Sequence, residues 1–149
     1  MRVRRAPLAA LGLALTAAPL AAAAAPACDV SLSMVDFGRI RYKEGSDITG
    51  QLTVTCDGPT AFELSASPGY GSYDVRTMLG PKGTVLRYNI YVDAARRRVW
   101  GDGEAGTARI AGQSDGRKAV GYTIYGRLLD GQSVRSGSYR DSVKVSLSR

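Results

Sequence analysis

Residues 46–56, SDITGQLTVTC, alternate so strictly in polarity that one backbone geometry suits them best. Ile48, Leu52, Val54 and Cys56 share one side, while Thr49, Gln51, Thr53 and Thr55 share the other. A repeat of two separates the faces of an extended strand, whereas a helix would scatter both sets around its circumference. The segment predicts a β-strand with one face in a core and one in water.

The same rhythm recurs along the chain. Val30, Leu32 and Met34 alternate with Asp29, Ser31 and Ser33; Phe37-Gly38 interrupts them as a kink or bulge, and Ile40 and Tyr42 resume the parity. Asp57-Gly58-Pro59 is a turn signal, followed by Phe62, Leu64 and Ala66 as the inward side of the next strand. Ser67 to Gly83, rich in Gly, Ser, Tyr and Pro, predicts a long surface loop. Leu86, Tyr88, Ile90 and Val92 then alternate with Val85, Arg87, Asn89 and Tyr91, after which Trp100-Gly101-Asp102-Gly103 opens a second irregular region reaching to about Gly116. Val120, Tyr122, Ile124 and Leu128 mark the penultimate strand, and Val143, Val145 and Leu147 the last. Five to seven strands without an amphipathic helix predict an all-β fold, a β-sandwich.

The first 27 residues read differently. Arg2, Arg4 and Arg5 form a basic start, Leu8 to Leu20 a short apolar stretch, and Ala25-Pro26-Ala27 a small-residue exit. This is the pattern of a secretory signal peptide over residues 1–27, which leaves 28–149 as one exported domain. The stretch is short for a membrane span and is broken by Pro19, so no stable membrane insertion is expected. Removing it takes three arginines and no acid, lowering the formal charge from +7 to +4, the balance of 17 Lys and Arg against 13 acids. Arg96-Arg97-Arg98 then reads as a solvated turn rather than a phosphate-binding patch, and no nucleic-acid partner is expected.

Export gives the two cysteines their meaning. A lipid anchor on Cys28 needs a bulky aliphatic residue three positions earlier, where this chain has Ala25. The chain contains no histidine, so Cys/His and Ser/His/Asp nucleophiles cannot form, and two cysteines alone fall short of a tetrahedral zinc site. A Cys28–Cys56 disulfide remains, joining the start of the first strand to the end of the second. Asp93, Asp102, Glu104, Asp115, Asp130 and Asp141 are scattered, mostly beside turn glycines, and Asp102-Gly103-Glu104 lacks the ligand spacing of a calcium loop. No enzymatic activity, metal or cofactor is expected. Tyr70, Tyr73, Tyr91, Tyr122 and Tyr125 read as strand and loop aromatics, with a sugar-binding surface as the alternative.

The order of local signatures carries a resemblance. Cys28, Phe37-Gly38, Gly50-Gln51-Leu52-Thr53-Val54-Thr55-Cys56, Arg76-Thr77-Met78, Leu86 to Asp93, Val99 to Gly103, Tyr125-Gly126-Arg127 and Gly137 to Val143 follow one another over nearly the whole exported part. In this the chain resembles the spore coat protein U domain family, which includes subunits of archaic (Csu-type) chaperone/usher pili. The resemblance implies an immunoglobulin-like sandwich that is incomplete, with a groove between first and last strands. It implies a periplasmic chaperone, an outer-membrane usher and neighbouring subunits as partners, through strand donation. Carried onto this chain, the groove is bordered by Val30, Leu32 and Met34 on one side and Val143, Val145 and Leu147 on the other. Phe37, Gly38, Trp100, Gly101, Gly137, Tyr139 and Asp141 fall on structural signature positions, and Tyr139 with Asp141 is expected to fix a corner before the last strand.

One departure from that pattern bears on function. A fibre-forming subunit needs about ten residues of alternating polarity ahead of its first strand, whereas Pro19 to Ala27 has no alternation and two prolines. The expectation is a subunit that accepts a strand and lends none: a terminal, minor or tip-type fibre subunit at the cell surface, acting in adhesion or biofilm formation. A self-complete spore-coat or matrix protein is the alternative, with a carbohydrate-binding module behind it.

Overall fold

The computed structural model describes residues 24–33, 36–38, 45–133 and 135–149. Two antiparallel sheets form a sandwich. The larger is built from β1 (Cys28–Leu32), β2 (Ser46–Cys56), β7 (Val120–Leu128), β5 (Val85–Tyr91) and β4 (Arg76–Leu79), in that spatial order. The smaller has β6 (Ile110–Asp115), β3 (Pro59–Ala66) and β8 (Val145–Ser148), with β3 in the centre. A short 3₁₀ turn, Pro81–Gly83, is the single helical element among the described residues.

The predicted alternation places the core. Leu52, Val54 and Cys56 of β2, Phe62, Leu64 and Ala66 of β3, Leu86, Tyr88 and Ile90 of β5, and Ile124 and Leu128 of β7 are all buried between the sheets. Two glycines on inner faces make room for aromatic neighbours. Gly112 lies against Phe62 and Tyr122, whose rings meet edge to face with centroids 6.3 Å apart, and Gly126 lies under Ile48 and Phe37. A side chain at Gly112 would have to displace the rings packed on it, and one at Gly126 would meet Ile48 first and then the Phe37 ring.

Three expectations change. The segment from Ser67 to Gly83 is not loop throughout, because β4 pairs there with β5, from Arg76↔Tyr88 to Leu79↔Val85. The region from Trp100 to Gly116 contains β6, paired with β3 from Pro59↔Asp115 to Leu64↔Ile110. The described residues therefore carry eight strands rather than five to seven. Residues 34, 35, 39–44 and 134, and with them the expected positions of Met34, Ile40 and Tyr42, lie outside the described residues, as does most of the expected signal peptide.

The two long flanks of the sandwich differ. On one, residues 99–101 continue along β5 beyond β4 and cross to the smaller sheet: Trp100 N donates to Ile90 O at 2.9 Å, and Ala66 N to Gly101 O at 3.2 Å. On the other, β1 is the edge of the larger sheet and β8 the edge of the smaller, and among the described residues each has a ladder partner on one side alone.

Candidate functional site

Backbone register shows which β1 and β8 side chains point inward. Val30 lies opposite Val54 and Leu32 opposite Leu52; on the other sheet Val145 lies opposite Ala66 and Leu147 opposite Leu64. Members of each pair share a face, yet their exposures diverge. Leu52, Val54, Leu64 and Ala66 are at most 1% exposed, whereas Leu32 is 39% exposed and Val30, Val143, Val145 and Leu147 are half-buried. An inward apolar row on each edge thus lies incompletely covered. The edges add unpaired main-chain donors and acceptors, the elements from which strand addition is made. Val143 precedes β8 rather than lying within it, and Met34 falls outside the described residues.

Cys28 and Cys56 form a disulfide and are direct cross-strand partners. Asp57 N donates to Ala27 O at 3.0 Å, which makes the next pair inward a non-hydrogen-bonded one. In antiparallel sheets such pairs bring opposing residues closest, and here the Cα atoms are 4.0 Å apart. At the same end, the Arg149 guanidinium donates to Pro26 O, linking the end of β8 to the approach to β1.

The closed flank is organised by a cation that sequence reasoning missed. Arg76 is completely buried, although it begins a four-residue strand. Its Nε and Nη2 donate to Ser67 O at 3.2 and 2.8 Å, Nη2 also to Trp100 O at 2.7 Å, and Nη1 to Asn89 Oδ1 at 2.6 Å. Burial lowers its pKa from the usual arginine value. Asn89, expected on the outer face of its strand, is buried because residues 73 and 74 pass over it; its amide donates to Tyr73 O and Asp74 O. Trp100 is fully buried and donates its indole N–H to Leu64 O at 3.2 Å. Gly101 is buried against Thr107, which overlaps the place a Cβ would occupy.

The remaining signature positions surround this node. Asp141 accepts the Tyr88 hydroxyl at 2.6 Å and the backbone N–H groups of Tyr70 and Ser142 at 2.9 and 2.7 Å. Tyr139 lies on Gly80; its hydroxyl shares a hydrogen bond with Thr84 Oγ1 at 3.0 Å and donates to Arg135 O at 2.9 Å. Gly137 abuts Pro81. Phe37 is buried edge-on to Tyr88 at 5.9 Å, and Gly38, at a φ of +63° that favours glycine, donates its N–H to Asp36. The expected solvated turn at residues 96–98 is also modified. Asp93 accepts from Arg97 N and Arg98 N, and this arrangement draws Arg96 in over Tyr125 and toward Asp47.

Among the described residues, no helix is long and apolar enough to cross a membrane. The model of the Spore Coat Protein U domain matches residues 14–146. No curated protein is significantly similar in sequence. Among solved structures, the chain is similar to one in the crystal structure of the CsuC–CsuE chaperone–tip adhesion subunit pre-assembly complex from the archaic chaperone–usher Csu pili of Acinetobacter baumannii. The identity is 20% and the TM-score 0.62, covering 82% of this chain and 39% of that one. The likeness is one of fold, an immunoglobulin-like sandwich, and this chain spans about two fifths of that neighbour's length.

Proposed function

Because this chain belongs to the Spore Coat Protein U domain family, we propose that it is a structural subunit of a chaperone/usher surface fibre, exported through the periplasm and completed by a strand from another chain. The observation that carries the reading is the incompletely covered inward row, Val30 and Leu32 against Val145 and Leu147, between two edges that among the described residues lack a ladder partner on that side. An inserted strand would hydrogen-bond along either edge while its alternate side chains cover these residues. A periplasmic chaperone fills the groove first, and an outer-membrane usher exchanges it for a neighbouring subunit's segment.

The position in the fibre is terminal, minor or at the tip, serving adhesion or biofilm formation. The residues immediately before Cys28, AAAAAPA, support this: they have no alternating polarity to fill another groove, and Pro26 removes a ladder donor. Mixing a peptide of residues 19–28 with the chaperone-free exported chain tests that part, and stable insertion of that peptide as a donor strand would remove it.

Production of the chain with and without its cognate chaperone tests the main reading. The expected result is a one-to-one complex with chaperone and self-association without it. A soluble, cooperatively folding monomer that ignores a designed alternating peptide would instead establish the self-complete coat or matrix protein.

A further inference from the structure

The outer face of the larger sheet carries a cluster that the groove does not use. Tyr91 of β5 and Tyr125 of β7 are cross-strand partners, both part-exposed, and Thr49 of β2 continues the row. In the adjacent row Arg127 holds Asp47 through two hydrogen bonds of 2.8 Å. The 93–98 turn folds onto the same face. Arg96, with a left-handed φ of +55°, places its guanidinium 5.7 Å from the Tyr125 ring centroid, donates to Gly126 O and lies 3.4 Å from Asp47. Arg97 and Arg98 remain exposed at the rim, as does Arg87 on β5. Gln51 and Thr123, joined by a 3.2 Å hydrogen bond, extend the face with neutral polar groups. Beside Arg127 an open depression of about 520 Å³ is bordered by Gly45, Asp47 and Asp130.

We infer that this face binds an acidic polysaccharide, with Tyr91 as the shelf for a sugar ring, Tyr125 backing the Arg96 guanidinium, and the surrounding arginines as the counter-charge. Five arginines (87, 96, 97, 98 and 127) face four carboxylates (47, 74, 93 and 130), so the cluster keeps a formal surplus of one positive charge. Asp47 is shared by two arginines, while Asp93 accepts from the backbone N–H groups of Arg97 and Arg98 and attracts the Arg98 charge, which leaves the Arg97 guanidinium the freer of the two. Guanidinium forks suit carboxylates on a repeating chain. A sheet face that presents Tyr91 beside threonine and glutamine suits a pyranose ring and its hydroxyls. The surface is distinct from the β1/β8 flank, and the inference does not rest on the fibre reading.

Retention of the full exported chain on immobilised polygalacturonate tests it, with neutral dextran and duplex DNA as comparison probes. The expected result is salt-sensitive retention on polygalacturonate and none on dextran. Arg97→Glu/Arg98→Glu and Tyr91→Ala should each weaken it at least tenfold with unchanged far-UV circular dichroism. Lys118→Glu, an exposed charge reversal at the end of the sandwich where β6 turns into β7, should leave it unaltered. Equal loss in the Lys118 variant, stronger retention on DNA, or no retention on polygalacturonate would overturn the inference.

Discussion

Arg76 is the residue on which most of the closed flank depends. One planar guanidinium satisfies Ser67 O, Trp100 O and Asn89 Oδ1 together, and so ties the 67–75 segment, β4, β5 and the Trp100 crossover at one point. Arg76→Met leaves Ser67 O and Trp100 O without donors, at roughly 1–3 kcal/mol for each unsatisfied group, while Asn89 Oδ1 keeps the Ile90 N–H. Chemical denaturation should therefore show a loss of at least about 2 kcal/mol. Arg76→Lys should fall between, since an ammonium cannot match the fork. Tyr88 gives a pH signature. Burial, reinforced by the nearby Asp141, raises its pKa far above the ordinary phenol value of 10.0. The folded state thus keeps a proton that the unfolded chain gives up, so this stabilisation is complete below about pH 10 and falls as pH rises beyond it, by about 1.4 kcal/mol per unit. Tyr73 and Tyr122 are raised in the same direction. Denaturation midpoints should decline between pH 10 and 11.5, with a shallower slope in Tyr88→Phe.

At the scale of strands, cross-strand partners separate covered from uncovered surface. Leu64 and Leu147 face each other across β3 and β8, but Leu64 is fully buried while Leu147 is half-exposed. Leu64→Ala should cost about 2–5 kcal/mol. Leu147→Ala should cost clearly less in the isolated chain and show its main effect as weaker capture by a strand-donating partner. Removing the disulfide as Cys28→Ser/Cys56→Ser opens a loop whose ends are 28 residues apart, worth about 3–4 kcal/mol on the chain-entropy model. Hydrogen exchange should then quicken in β1 more than in β3. The strands legible in the sequence were those whose own side chains alternate, β1, β2, β3, β5, β7 and β8. β4 and β6 were not legible for a shared reason: RTML carries a buried arginine, and IAGQSD has glycine and serine at inner positions, so neither shows an apolar period. Their pairing is imposed by neighbours. Arg76 and Asn89 lie in signature stretches of the sequence, but their burial was not legible, because it comes from chain segments distant in sequence.

For the whole molecule, the unequal flanks link stability to occupancy. A ligand that binds the folded state at a hundred times its dissociation constant adds about 2.7 kcal/mol. A designed peptide with alternating apolar residues should therefore raise Tm in proportion to the logarithm of its concentration and suppress self-association. Light scattering and a thermal melt on one sample would check both. A scrambled peptide of equal composition should do neither.

The cystine has a further consequence at this scale. A one-residue slide of β1 against β2 would turn Val30 and Leu32 outward and Asp29 and Ser31 inward. Edge strands without a second neighbour are the ones most open to such sliding, and the crosslink at Cys28 forbids it by acting as a mechanical stop. The side chains that β1 offers to an incoming segment are thus set before that segment arrives, and the docking partner meets a template already indexed.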